Sequence, residues 1–341
     1  MQNLQPINEW FGIEPRYIPP KPIYTREDRR KAKAQVEEIE YVDGPTITED
    51  EAWFRHNNWN QKRKQVRAAL NESGASQNSM SSFDNCGSDC QVEWSEELQR
   101  HRVIAAYCHN RHCEPCMKAK SALITNNLRE IMKRKEKVQH RFITLTLRHN
   151  DAPLKQQIKH LYTCYKKLRS KPEWKSSQKG GAATLEVKWI PATQKWHPHL
   201  HIISEGSYLN TYWLSQTWKD ITGDSHVVDI RLISADKDVA YYVGKYVTKG
   251  TNAEVWNDPA VAVEWVKSVK GVRMCATFGC WRGYKLLARE KEKPGQWVHV
   301  ASLGSLVRRA QAGEVYALEL LVLLTNTQQY NPNRKRSPKP K

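Results

Sequence analysis

The sequence predicts an α+β fold of the ferredoxin-like, split βαβ kind: a central antiparallel sheet with helices on one of its faces. Three observations predict it. Alternating apolar and polar residues, the pattern of a half-buried strand, occur at 140–147 (HRFITLTL), 183–190 (ATLEVKWI), 199–204 (HLHIIS) and 227–233 (VVDIRLI). Apolar residues recur at helical spacing after the first strand, at Leu154, Ile158, Leu161, Tyr165 and Leu168, and again over 208–221 and 236–249. The resulting order is strand, helix, strand, strand, helix, strand, helix, which is the split βαβ order.

The flanks read differently. Residues 1–85 form a charged, helical N-terminal extension and linker. Their first part is Pro-rich, with a helix near 26–39. Thr48 and Glu51 have capping-box spacing before a helix reaching about Leu70, and 71–85 is a Ser/Asn/Gly-rich linker. A Cys-rich segment and helix occupy 86–138, and the core spans 139–250. A helical region follows over 251–330, and 331–341 is a Pro-rich basic tail expected to be disordered.

Composition points to a class of partner. The 341 residues carry a net charge of +18, which favours nucleic acid or an anionic surface. No apolar run approaches the ~18–20 residues that span a bilayer. The polar stretch Met1 to Asn8 lacks a signal-peptide core, so a cytoplasmic protein of a bacterial or archaeal host, without membrane contact, is expected. In that setting the eight cysteines suggest thiols or metal ligands more than disulfides.

Three constellations carry chemistry. In Trp196-His197-Pro198-His199-Leu200-His201, a strand places His199 and His201 on one face and Leu200 on the other. If residue 190 lies opposite 197, Glu186 falls opposite His201, on the same face. Two imidazoles and a carboxylate form a donor set with open positions, suited to Mg²⁺ or Mn²⁺ beside a phosphate. His197 is a further candidate. The plain alternative is a hairpin with two surface histidines.

In the second constellation, residues 238–249 place Asp238, Tyr242, Tyr246 and Lys249 on one helical stripe, with Lys245 a turn from Tyr241. A tyrosine hydroxyl attacks phosphorus only where the phosphate is polarised and the developing charge stabilised, and Lys245 can supply such charge. Asp238 can orient a hydroxyl or water. The alternative is an amphipathic helix whose tyrosines pack in the core.

The third constellation is Cys108-His109-Asn110-Arg111-His112-Cys113-Glu114-Pro115-Cys116. Its C-x4-C-x2-C spacing suggests a structural Zn²⁺ held by Cys108, Cys113 and Cys116, with Cys90 as fourth ligand. Cys86, His109 and His112 are the other candidates. Basic stretches at 129–137 and 334–341 can track phosphates.

A strand, an H-x-H motif and a Tyr/Lys helix in this order resemble the HUH endonuclease superfamily. That group includes rolling-circle initiators of plasmids and phages, related transposases and relaxases. FITLTL (142–147) resembles its first motif, HPHLHII (197–203) its metal motif, and YVGKYVTK (242–249) the two-tyrosine motif of phage-type initiators. The resemblance implies the HUH endonuclease fold over roughly 105–250. It also implies His199, His201 and Glu186 as metal ligands, Tyr242 as first nucleophile, Tyr246 as its alternate and Lys245 as a charged helper. Asp238 sits where single-tyrosine initiators keep an acidic residue, so either Asp238 or Tyr246 completes the second transfer.

The implied activity is nicking of single-stranded or extruded origin DNA, with a 5′-phosphotyrosine link and a free 3′-hydroxyl, followed by rejoining. No G-x-x-x-x-G-K-[ST] loop occurs in the sequence, so helicase and DNA polymerase are expected from the host, and no small-molecule cofactor is expected. Two other readings stay open: an HUH-type single-strand transposase, and a non-enzymatic zinc-dependent nucleic-acid binder.

Overall fold

The computed structural model describes residues 60–134, 138–233, 250–287 and 295–326. The expected helix at 26–39, the first part of the one after Thr48, the Tyr/Lys helix and the basic tail lie outside the described residues; the later part of the Thr48 helix is described, as helix over Asn60–Glu72. The described residues form two compact units.

The larger unit begins with α1 (Asn60–Glu72) and α2 (Gln77–Asp84). The second of these replaces the expected linker. Ser76 accepts from Ser79 N at 3.3 Å at its start, and Met80 and Phe83 are buried. Two apolar residues three apart hold a short helix that the surrounding Ser and Asn residues obscure.

The smaller unit has an antiparallel sheet of β1 (Gln91–Ser95), β2 (Arg100–Ile104) and β8 (Val298–Ser302), in the order β2-β1-β8. The helices α8 (Leu303–Gln311) and α9 (Val315–Asn326) complete it, with a core of Val92, Ala301, Leu303, Leu306 and Leu320.

In the larger unit α3 (Glu114–Arg134) leads into β3 (His140–Thr146). Next come α4 (Leu154–Ser170), α5 (Pro172–Ser177), β4 (Gln178–Ile190), β5 (Lys195–Gly206), α6 (Thr211–Thr222) and β6 (Val228–Leu232). After the undescribed 234–249 come α7 (Pro259–Ser268) and β7 (Cys275–Gly279). The fold is the predicted α+β one: a five-stranded antiparallel sheet, in the order β6-β3-β5-β4-β7, with helices packed on it.

One face of the sheet is apolar. Leu145, Leu185, Leu200 and Ile202 are fully buried there, each burial worth about 1.5–3 kcal/mol. Phe278 of β7 meets Tyr165 of α4 and Trp174 of α5 at ring distances of 6.1 and 6.5 Å. Trp218 of α6 donates its indole N–H to Thr146 O at 2.8 Å.

Helices do not keep to that face. Met117, Ile124, Leu128 and Ile131 of α3 pack with Ala182 and Ile203, on the opposite side of the pleat. The expectation of helices on one face is corrected: α3 is amphipathic and needs a surface, and Ala182, Ile203 and Phe142 supply one. The stretch 251–330, expected as helical, also supplies β7 and β8. Each strand is only five residues long.

Candidate metal centre and nucleic-acid face

The candidate centre is built on the β4–β5 hairpin. A four-residue turn over 191–194 closes it, with Ile190 opposite Lys195. Thr193 N reaches Ile190 O at 3.2 Å, and Gln194 takes φ 52° to complete the reversal. The expected register assumed a wider loop and is corrected by two residues: Glu186 lies opposite His199, and Thr184 opposite His201. A two-residue change keeps every side chain on its face. Glu186 therefore still shares the imidazole face and reaches diagonally, its Oε2 lying 2.9 Å from His201 Nε2.

The strand on the other side of β5 contributes hydroxyls. Thr144 pairs with His201 and Thr146 with His199 in the antiparallel register. Thr144 Oγ1 lies 3.3 Å from His201 Nδ1, and Thr146 Oγ1 lies 3.2 Å from His199 Nδ1. The His201 ring is stacked between Phe142 at 5.7 Å and His199 at 6.0 Å, with interplanar angles of 14° and 18°. Both imidazoles are less than one-tenth exposed. His199 Nε2 is buried and has no hydrogen-bonding partner among the described residues.

Burial is also the main electrostatic influence. It pushes His199 down to about 2, aided by His197 and His201, so this ring is neutral at physiological pH. His197 is lowered to about 4, again chiefly by burial and then by His149. The rings of His149 and His197 are 4.0 Å apart, and those of His197 and His199 4.1 Å. His149 escaped the sequence reading; its one signal is its place three residues after the Thr146 of the FITLTL strand. Lys188 Nζ lies 3.8 Å from Glu186 Oε2.

These donors fit a divalent ion in kind: two imidazoles and one carboxylate, with the buried Nε2 of His199 meeting no partner among the described residues. The structure brings His201 and Glu186 into contact and sets His199 alongside. Asp238, Tyr242, Lys245 and Tyr246 lie outside the described residues.

A second candidate centre is made of thiols. The sulfurs of Cys86, Cys108, Cys113 and Cys116 all lie within 4.8 Å of one another. Tetrahedral zinc–thiolate bonds of about 2.3 Å place sulfurs about 3.8 Å apart, so the four fit one zinc ion. The fourth member is Cys86, which corrects Cys90. The Cys90 thiol donates to Gly87 O at 3.0 Å and packs with Val92 and Leu303 in a core. Cys113 immediately precedes α3, and Cys116 sits in its first turn, where the helix dipole favours thiolates. His112 is held away from this role. Its ring lies 5.8 Å from Trp256 and 6.3 Å from Trp265, and burial lowers it to about 3. Arg111 fixes the loop by donating to Val269 O and Val272 O at 2.6 and 3.0 Å.

A cleft of about 750 Å³ opens beside α3 and β7. Lys120, Arg273 and Lys285 line it with Tyr284, and among the described residues no acidic one does. Cys275 and Thr277 also line it. Cys275 lies opposite Thr184, which in turn lies opposite His201. The cleft thus borders the imidazole face across β4.

The basic α+β chain thus combines two metal-capable clusters with a cationic cleft. The comparison with known proteins is more specific. A family model described as "Replication protein" matches residues 99–318, well over half the chain, and the chain belongs to that family. It is 26% identical over 185 residues to "Protein rep" of Staphylococcus aureus, covering 50% of this chain and 81% of that protein. No solved structure matches it.

Proposed function

We propose that this replication protein starts rolling-circle replication by nicking origin DNA through a tyrosine ester. The observation that carries the reading is the His199, His201 and Glu186 face, within a chain of the replication protein family. In this reading Tyr242 Oη attacks a phosphodiester phosphorus. The bond from phosphorus to the 3′ oxygen breaks, and the proton given up by the tyrosine hydroxyl is balanced by the one that the 3′ oxygen takes to become the primer hydroxyl. The 5′ phosphate stays on the tyrosine, so its bond energy is kept for rejoining.

His199, His201 and Glu186 would hold a Mg²⁺ or Mn²⁺ ion, which when bound would polarise the phosphate. Lys245 stabilises the charge that develops on phosphate oxygens. Either Tyr246 or Asp238 serves the second transfer. The thiol group of Cys86, Cys108, Cys113 and Cys116 holds Zn²⁺ as a folding element. Host helicase and polymerase supply the unwinding and synthesis.

The test is nicking of a labelled single-stranded DNA library with Mn²⁺. Wild type is expected to form a covalent adduct that the double variant His199→Ala/His201→Ala loses. Tyr242→Phe is expected to lose or redirect it to Tyr246. DNA binding by wild type without any adduct, on any sequence, overturns the nuclease reading in favour of a binding module.

A further inference from the structure

We propose that Thr144 and Thr146 are positioning residues that set the tautomers of the two imidazoles, and set them differently. The inference rests on the metal reading of this face, because it concerns which nitrogen each ring presents.

The argument for His199 is one of buried polar atoms. A neutral imidazole carries one N–H and one bare nitrogen. Nε2 of His199 is buried and meets no partner among the described residues, while Nδ1 lies 3.2 Å from Thr146 Oγ1. Buried N–H groups without an acceptor are rarer than under-used acceptors. The proton therefore sits on Nδ1, donated to the Thr146 hydroxyl. Nε2 is left bare, the state in which it can ligate.

His201 is held the other way. Its Nε2 faces the Glu186 carboxylate at 2.9 Å, and a carboxylate only accepts. Nε2 therefore carries the proton. In the neutral ring Nδ1 is bare and accepts from the Thr144 hydroxyl at 3.3 Å. Ligation through Nε2 requires the proton to leave that nitrogen and Nδ1 to become the donor. A hydroxyl can serve both states, because it donates to a bare Nδ1 and accepts from an Nδ1–H. Valine, of nearly the same shape, can serve neither. His199 is thus ready for metal, whereas His201 is latched by Glu186 and released by a partner that works in either direction.

The experiment records long-range proton–nitrogen spectra of ¹⁵N-histidine-labelled full-length protein, with its thiol centre intact and no added divalent metal. Calorimetric titration with Mn²⁺ accompanies them. The variants are Thr144→Val, Thr146→Val and the rescuing Thr144→Ser and Thr146→Ser, with thermal unfolding to confirm the fold. In wild type the proton is expected on Nδ1 of His199 and on Nε2 of His201. Thr146→Val is expected to move the His199 proton. Thr144→Val is expected to leave the His201 tautomer as Glu186 sets it. Both valine variants should weaken Mn²⁺ by about ten- to a hundredfold, the usual effect of losing a group that orients a ligand, and both serines should restore it.

A His199 proton on Nε2 in wild type, or valine variants with unchanged spectra and Mn²⁺ affinity, overturns the inference. Wild type that shows the expected tautomers but binds no Mn²⁺ keeps the hydroxyl assignment and overturns the metal reading instead.

Discussion

Cys86 and Cys90 are four residues apart and end in different surroundings. Gly87 at φ 94° and Asp89 at φ 53° turn the chain between them, so one thiol joins three others and the next enters an apolar core. This predicts one zinc per chain by elemental analysis, lost in Cys86→Ser and retained in Cys90→Ser. Retention in the first and loss in the second would reverse the assignment. Cys108, Cys113 and Cys116 were legible because their spacing is local. The fourth ligand was not, because left-handed backbone at Asp89 leaves no mark in residue spacing. His199 and His201 were legible for the opposite reason: a strand alone fixes alternate residues to one face. Their hydroxyl partners were not, since Thr144 and Thr146 reach them only through strand pairing.

The β4–β5 hairpin shows what an element needs beyond its pattern. Alternation chose the face of Glu186 correctly, while the turn length set which histidine it opposes, and turn length is hard to read from Pro-Ala-Thr-Gln. Near its start β4 runs Gly-Gly-Ala-Ala (180–183), a weak strand sequence. It is a strand because β5 and β7 close on it from both sides. A Cβ added at Gly181 would run into the Ile203 carbonyl oxygen and crowd the Phe278 ring. Gly181→Ala is therefore expected to destabilise the protein by about 1–3 kcal/mol, as over-packing usually does. Denaturant midpoints at unchanged slope would measure it; an unaltered midpoint would mean that β4 can move away from β5.

At the scale of the molecule, the charge of +18 announced a polyanionic partner without saying where it binds. The cleft offers a candidate place, which substitution can test. Lys120, Arg273 and Lys285 come from α3 and from the two flanks of β7, far apart in the sequence, so composition alone could not group them. Replacing all three with glutamine is expected to weaken single-stranded DNA binding. It should also reduce the dependence of log affinity on log salt by about two, at roughly 0.7 per phosphate contact. An unchanged salt dependence would remove the cleft from the path of the strand. The split βαβ order was legible because β3, β4, β5 and the helices between them are long enough to show their period, and the alternation at 227–233 extends past both ends of β6. The sheet's fifth strand was not, being five residues that form only against an existing neighbour.

That fifth strand has a consequence for how the protein is made. β7 is synthesised well after β4, the strand it covers. Until it leaves the ribosome, the growing chain presents one side of β4 with its amides and carbonyls unmatched, an invitation to pair with another chain. The glycines and alanines at the start of β4 make that edge a poor template for a stranger, yet one that its own Cys275–Gly279 segment fits closely. A gene fragment ending just past the tyrosines would carry every proposed catalytic residue and still yield a sheet with a bare edge, prone to self-association during translation.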